Sequence, residues 1–154
     1  MPALTPKLRF PEFNQSEGWD ADGLGEVAHF ITEKVPIEQI RIESYVSTEN
    51  IIADFGGVIP ASKLPTTGTI TRYKTGDVLV SNIRPYLKKV WVADREGGAS
   101  NDVIVIRAQK TLLRQYLSCL LQSDNFIKYV MTGAKGVKMP RGDLGLMKEF
   151  PALY

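Results

Sequence analysis

The rhythm of apolar and polar positions changes along this chain of 154 residues. Between residues 77 and 108 it is dense and β-branched. "DVLVSNI", "KKVWVA" and "DVIVIRA" are short apolar runs bounded by turn residues, and they predict three strands. "IRIESYV", residues 40–46, alternates and predicts another. From residue 111 the spacing becomes helical. Leu112, Leu113, Tyr116, Leu117, Leu120 and Leu121 keep to one face. Ser123 or Asp124 then caps a second helix through Phe126, Ile127, Val130 and Met131, which Gly133 closes.

The segments between are irregular. Residues 1–18 hold Pro2, Pro6 and Pro11 and predict an extended arm. "WDADGLGEVAHFI" predicts a short helix with Asp20 or Asp22 near its cap. Residues 54–77, rich in Gly, Pro and Thr, read as long loops with one short strand. "DREGGASN" is turn chemistry, "AKGVKMPRGDLG" a glycine-rich basic loop, and "MKEFPALY" an end. There is no repeat and no low-complexity tract. Strands precede helices, so the fold class is α+β, in one domain long enough to bury a core.

Composition narrows the picture. Apolar residues make up 44%, without the run of about 18 that a membrane span needs. "MPALTPKLRFPEFNQSEGW" lacks the apolar centre of a signal peptide. The single cysteine, Cys119, cannot form an internal disulfide, which fits a cytoplasmic protein. A net charge of +2 permits a nucleic-acid partner without requiring one, so the distribution of charge matters more than its sum.

Enzyme chemistry finds little footing. His29, the one histidine, reads as a packed or surface residue in an apolar setting. Cys119 lies within the leucine-rich stretch and reads as core. No Cys/His spacing suggests zinc, and neither a Walker loop nor a GxGxxG motif is present. "NIRPY" matches the Asn-Pro-Pro-Tyr loop of amino-methyltransferases only superficially. Arg84 replaces the first proline, and no glycine-rich cofactor loop precedes it. The "RGD" at Arg141–Asp143 is a chance triplet. Asp54, Asp77 and Asp102 form no nuclease pattern, and Asp77 and Asp102 read as turn caps at strand starts.

Two basic constellations remain. Arg84, Tyr86, Lys88 and Lys89 follow a core strand, with Pro85 among them. Lys135, Lys138 and Arg141 lie among Gly133, Gly136 and Gly142. Lysine and arginine neutralise phosphates, and glycine lets a backbone approach a ligand. Solvated charge that keeps the fold soluble is the competing reading of both.

A resemblance weighs further. "PKLRFPEF" with the later "LGEV", then "TGDVLVSNIRPYLKKVWVA" followed by "GGASNDVIVIRA", and finally "GVKMPRGDLGLMKEFPALY", resemble a target recognition domain in the specificity subunit of type I restriction-modification enzymes. The likeness spans nearly the whole chain, and the central segment is the most specific part. It implies an irregular, curved β-sheet with a C-terminal helical part behind it. It implies a non-catalytic reader of duplex DNA, which positions methyltransferase subunits and a restriction motor subunit. S-adenosylmethionine, magnesium and ATP would then belong to those partners. Members usually carry two recognition domains joined by long helices. On that resemblance this chain would correspond to one N-terminal half, either shortened or from a naturally short gene.

On that resemblance Arg84, Lys88 and Lys89 would meet phosphate. Tyr86 would stack, bond to the DNA backbone or pack in the core. Base reading would fall to the less family-like loops. These are residues 62–74, with Lys63, Thr66, Thr67, Thr69, Arg72 and Tyr73, and residues 135–141, with Lys135, Lys138 and Arg141. An unrecognised small enzyme and a protein-interaction module are the alternatives.

Overall fold

The structure, a computed structural model, describes residues 5–134 and 138–154. In chain order its elements are β1 (Ala21–Gly23), α1 (Leu24–Val27), β2 (Ala28–Phe30), β3 (Lys34–Pro36), β4 (Tyr45–Val46), β5 (Thr69–Tyr73), β6 (Val78–Ser81), β7 (Val90–Val92), β8 (Gly97–Ala99), β9 (Val103–Ala108), α2 (Arg114–Leu121), α3 (Asp124–Thr132), α4 (Leu144–Lys148) and β10 (Pro151–Leu153). The strands β2–β9 precede the helices α2–α4, as the α+β class requires, while α1 lies between β1 and β2 and β10 closes the described chain after α4. Among the described residues no helix is long and apolar enough to cross a membrane.

The core is built around β6. Its four residues are all buried, because it lies inside an antiparallel sheet ordered β2-β9-β6-β7 that is covered on both faces. Val78 and Val80 join Ile104, Ile106 and Val90 on the face packed by Leu117, Leu121, Phe126, Ile127 and Val130 of α2 and α3. Leu79 joins Trp91, Val103 and Val105 on the other face, against Tyr73, Ala99 and Val46 of a second sheet, ordered β3-β5-β8-β4. Side chains alternate between two cores, so the strands read as continuous apolar runs. Each such side chain contributes about 1.5–3 kcal/mol when fully buried.

Three predicted elements come out differently. Residues 40–46 do not form a strand: 3-10 turns occupy Ile37–Gln39 and Ile42–Ser44, leaving only β4. The alternation there serves a chain that dips inward at every second or third residue. "GGA" in the predicted turn is instead β8. Side chains would not fit: a Cβ on Gly97 would collide with the carbonyl oxygen of Ser44, and one on Gly98 with Ile70. Residues 5–18 are not extended throughout. Pro11 opens a 3-10 turn at Pro11–Phe13, and the Arg9 guanidinium donates to the carbonyls of Phe13, Ser16 and Glu17.

The helical part keeps its two helices. Ser123 is the N-cap of α3 and accepts from the Phe126 amide at 3.2 Å. Cys119 is exposed, because a turn of 3.6 residues puts it opposite the buried Leu117 and Leu121. Leu113 precedes α2 and faces solvent. The "LGEV" helix is the four-residue α1, and the end of the chain folds as α4 and β10, with β10 paired to β1.

Candidate nucleic-acid interface

Where β6 leaves the core the chain turns abruptly. The Ser81 hydroxyl donates to the Ile83 carbonyl at 3.1 Å. Arg84 then takes a left-handed backbone with φ 51°, Pro85 opens a 3-10 turn at Pro85–Leu87, and Lys88 returns to the left-handed region at φ 55°. Asp54 and Phe55 hold the same region, at φ 55° and 58°. The amides of these last two bond to the carbonyls of Leu87 and Lys88, each at 2.9 Å. Two strained turns therefore brace one another. Left-handed non-glycine residues cost about 1–2 kcal/mol each, so their concentration beside the basic cluster marks a shape held by its surroundings.

The other side of the turn meets the second basic segment. Ile83 pairs with Arg141 as an isolated antiparallel bridge. The Arg84 amide donates to the Pro140 carbonyl at 2.8 Å, and the Gly142 amide to the Asn82 carbonyl at 3.0 Å. The Asn82 amide donates in turn to the Asp102 carbonyl at 2.8 Å. Three segments far apart in sequence thus share one small ladder. A Cβ at Gly142 would meet the terminal methyl of Met147 and the side-chain oxygen of Asn82, so a larger residue there would have to displace both.

The charges on this surface are unequal. Lys88 Nζ lies 2.9 Å from Asp124 Oδ1. That hydrogen bond raises the lysine above its ordinary range and lowers the carboxyl below its own. Lys89 donates to the Thr48 carbonyl at 2.7 Å, which engages its ammonium within the protein. Arg141 is paired with Asp102 at 3.0 Å. Arg84 is exposed and has no carboxylate partner among the described residues. Tyr86 is half-exposed, so its ring is available rather than packed in the core. Together with Lys88, Lys128, Lys138 and Pro140 it lines a groove of about 710 Å³ against α3.

The loop residues nominated for base reading divide. Lys63, Thr66, Thr67 and Thr69 are exposed. Lys63 and Thr66 line a cavity of about 540 Å³ that also contains Asn50, Ser100 and Asp102. Asp102 therefore connects this cavity to Arg141. Tyr73 is a correction: it is completely buried, edge-on to Trp91 with ring centroids 5.8 Å apart, and its hydroxyl donates to the Ser44 carbonyl at 2.9 Å. Its position on the inward face of β5 removes it from any ligand, and burial raises its pKa. Arg72, on the opposite face, is held 3.2 Å from Glu33 and is half-buried. Lys138 is exposed, while Lys135 lies outside the described residues.

Among the described residues no group of three His, Cys, Asp or Glu side chains is arranged to hold a metal ion. His29 is exposed on β2. The carboxylates that order the basic side chains, Asp102, Asp124 and Glu33, were missed as partners in the sequence. No local signal identifies them, because each partner lies between 36 and 39 residues away.

No protein-family model and no curated protein sequence matches the chain. Solved structures do. A chain from a study of complex assembly and conformational transition in the type I R-M system is 21% identical, with a TM-score of 0.67 over 96% of this chain. The fold is that of a type I restriction-modification S subunit. The HsdS subunit from Thermoanaerobacter tengcongensis is also 21% identical, with a TM-score of 0.64 over 96% of this chain. The S subunit from M. genitalium is 15% identical, with a TM-score of 0.59 over 98%. This chain spans 39%, 39% and 37% of those three chains. It thus spans well under half the length of those chains, and within the shared fold it carries the ladder joining Asn82–Arg84 to Pro140–Gly142.

Proposed function

We propose that this chain is a non-catalytic reader of duplex DNA that serves as one half of a type I restriction-modification specificity subunit. In that role it would position methyltransferase subunits and a restriction motor subunit on a two-part target. The observation that supports it most is the union of two basic segments, 84–89 and 138–142, on one backbone-bonded surface of an S-subunit fold. The braced turn suits contacts that fix register on phosphate, for which rigidity matters more than sequence information. The exposed threonines and Lys63 beside the cavity suit contacts to base edges.

Affinity for DNA should be low. One half-reader lacks the gain that linked sites provide, so binding near the non-specific range, about 10⁻⁴ to 10⁻⁶ M at physiological salt, is expected. Fluorescence anisotropy with duplexes over a series of salt concentrations tests this. A steep fall in affinity with salt supports the reading, and absence of duplex binding even at low salt overturns it. Incubation of the pure chain with DNA, S-adenosylmethionine and magnesium should give neither methylated nor cleaved product.

A second reading has its own observation. Leu8, Phe10, Phe13 and Leu113 are 91%, 73%, 54% and 74% exposed, which is unusual for large apolar residues in an ordered loop and at a helix start. A protein-interaction module without DNA binding would use that surface. Association with a methyltransferase subunit, combined with no affinity for duplexes, would favour it.

A further inference from the structure

We propose that Asp102 is a positioning residue that holds Arg141 for guanine, so that the pair sets the base preference at one place in the target. The proposal rests on the DNA-reading function above and adds to it the residue that aims the reader.

Three observations carry it. First, Arg141 is held at one end only. Its Nη1 donates to Asp102 Oδ1 at 3.0 Å, while the side chain stays 63% exposed. The other guanidinium N–H groups have no protein acceptor among the described residues. Reading guanine needs two N–H groups directed at O6 and N7, and this arrangement leaves them available.

Second, both ends of the pair are anchored in the backbone. Arg141 bridges Ile83, and its neighbours Pro140 and Gly142 bond to Arg84 and Asn82. Asp102 is joined to the same ladder through its carbonyl, which accepts from the Asn82 amide at 2.8 Å. An arginine fixed in advance loses less rotamer freedom when it meets a base.

Third, Asp102 lines the cavity that contains Lys63 and Thr66. The pair therefore stands where the two nominated reading loops meet. An acidic group at a DNA face repels phosphate unless it orders something of greater value there. The arginine it orders is the feature beside it.

The test is a bind-and-sequence selection with the whole chain and a randomised duplex pool at low salt. Arg141→Lys retains the charge but not the planar fork, and should relax the choice of guanine at one position. Asp102→Ala should relax that same position, reducing discrimination on the order of tenfold. It should leave duplexes that lack this guanine bound as tightly as before, or more tightly. Asp102→Asn keeps an acceptor oxygen and should fall between. Melting temperature should change little, because the carbonyl of residue 102 keeps its place in the ladder.

Other outcomes overturn the proposal. Unchanged preference with tighter binding to every duplex would make Asp102 a simple counter-ion. Equal weakening on all duplexes together with a lower melting temperature would make it structural. If the wild-type chain binds duplexes but selects no sequence, or binds none, base reading itself fails, and that is visible before any variant is compared.

Discussion

Asp77 receives both prongs of Arg107: Nε to Oδ1 and Nη2 to Oδ2, each at 2.7 Å. The carboxylate is 2% exposed, and Oδ2 also accepts from the Lys74 amide at 2.8 Å. One residue thus closes the turn into β6 and ties that strand to β9. Removing one partner of a buried pair strands the other charge, at a cost of about 3–5 kcal/mol. The Arg107 side chain is 30% exposed, so Arg107→Ala is expected at the lower end, about 3 kcal/mol. Urea unfolding measures it. A loss below about 1 kcal/mol would mean that the carboxylate finds water when the arginine is removed.

Arg84 separates backbone strain from charge. Its φ of 51° suits glycine, whereas its exposed side chain suits phosphate. Arg84→Gly should therefore be more stable than Arg84→Ala by about 1–2 kcal/mol. Both should weaken DNA binding alike, each reducing the salt slope by about one. Thermal unfolding and salt titrations of the two variants, side by side, provide the check. Unequal losses of binding would show that the turn's shape, rather than the cation, makes the contact.

The adjacent lysines should behave differently from Arg84. Lys89 is already engaged by the Thr48 carbonyl. Lys89→Ala should cost about 1 kcal/mol of stability and leave the salt slope near the wild-type value. A slope reduced by a full unit without loss of stability would return Lys89 to the phosphate contacts.

Lys88 and Asp124 carry a pH signature. Their hydrogen bond lowers the Asp124 carboxyl from its ordinary value of 3.8. A lowered carboxyl stabilises the folded state above its unfolded value, and the contribution disappears as pH falls through the folded value. The Asp124 carboxyl carbon, followed by NMR on acidification, should titrate below 3.8 in the wild type and return toward 3.8 in Lys88→Ala. A midpoint that the substitution does not move would mean that the pair does not persist in solution.

Much of the fold was legible in the sequence because it depends on local periodicity. The runs at 78–81, 90–92 and 103–108 are apolar at every position that two covering layers demand, and Ser123 caps α3 through its own third neighbour. What failed depended on distant contact. Gly97 and Gly98 look like a turn until Ser44 and Ile70 are placed beside them. Tyr73 looks like a ligand aromatic until Trp91 covers it.

The same division holds for the candidate interface. The sequence by itself determined where the cations lie and that a proline stiffens the turn among them, because both are properties of adjacent residues. Only the tertiary structure decided which cations remain available. The pairing of Arg141 with Asp102, of Lys88 with Asp124 and of Lys89 with the Thr48 carbonyl depends on segments brought together by the two sheets and α3. A charge's behaviour is set by what lies within a few ångströms of it, and chain spacing carries no record of that.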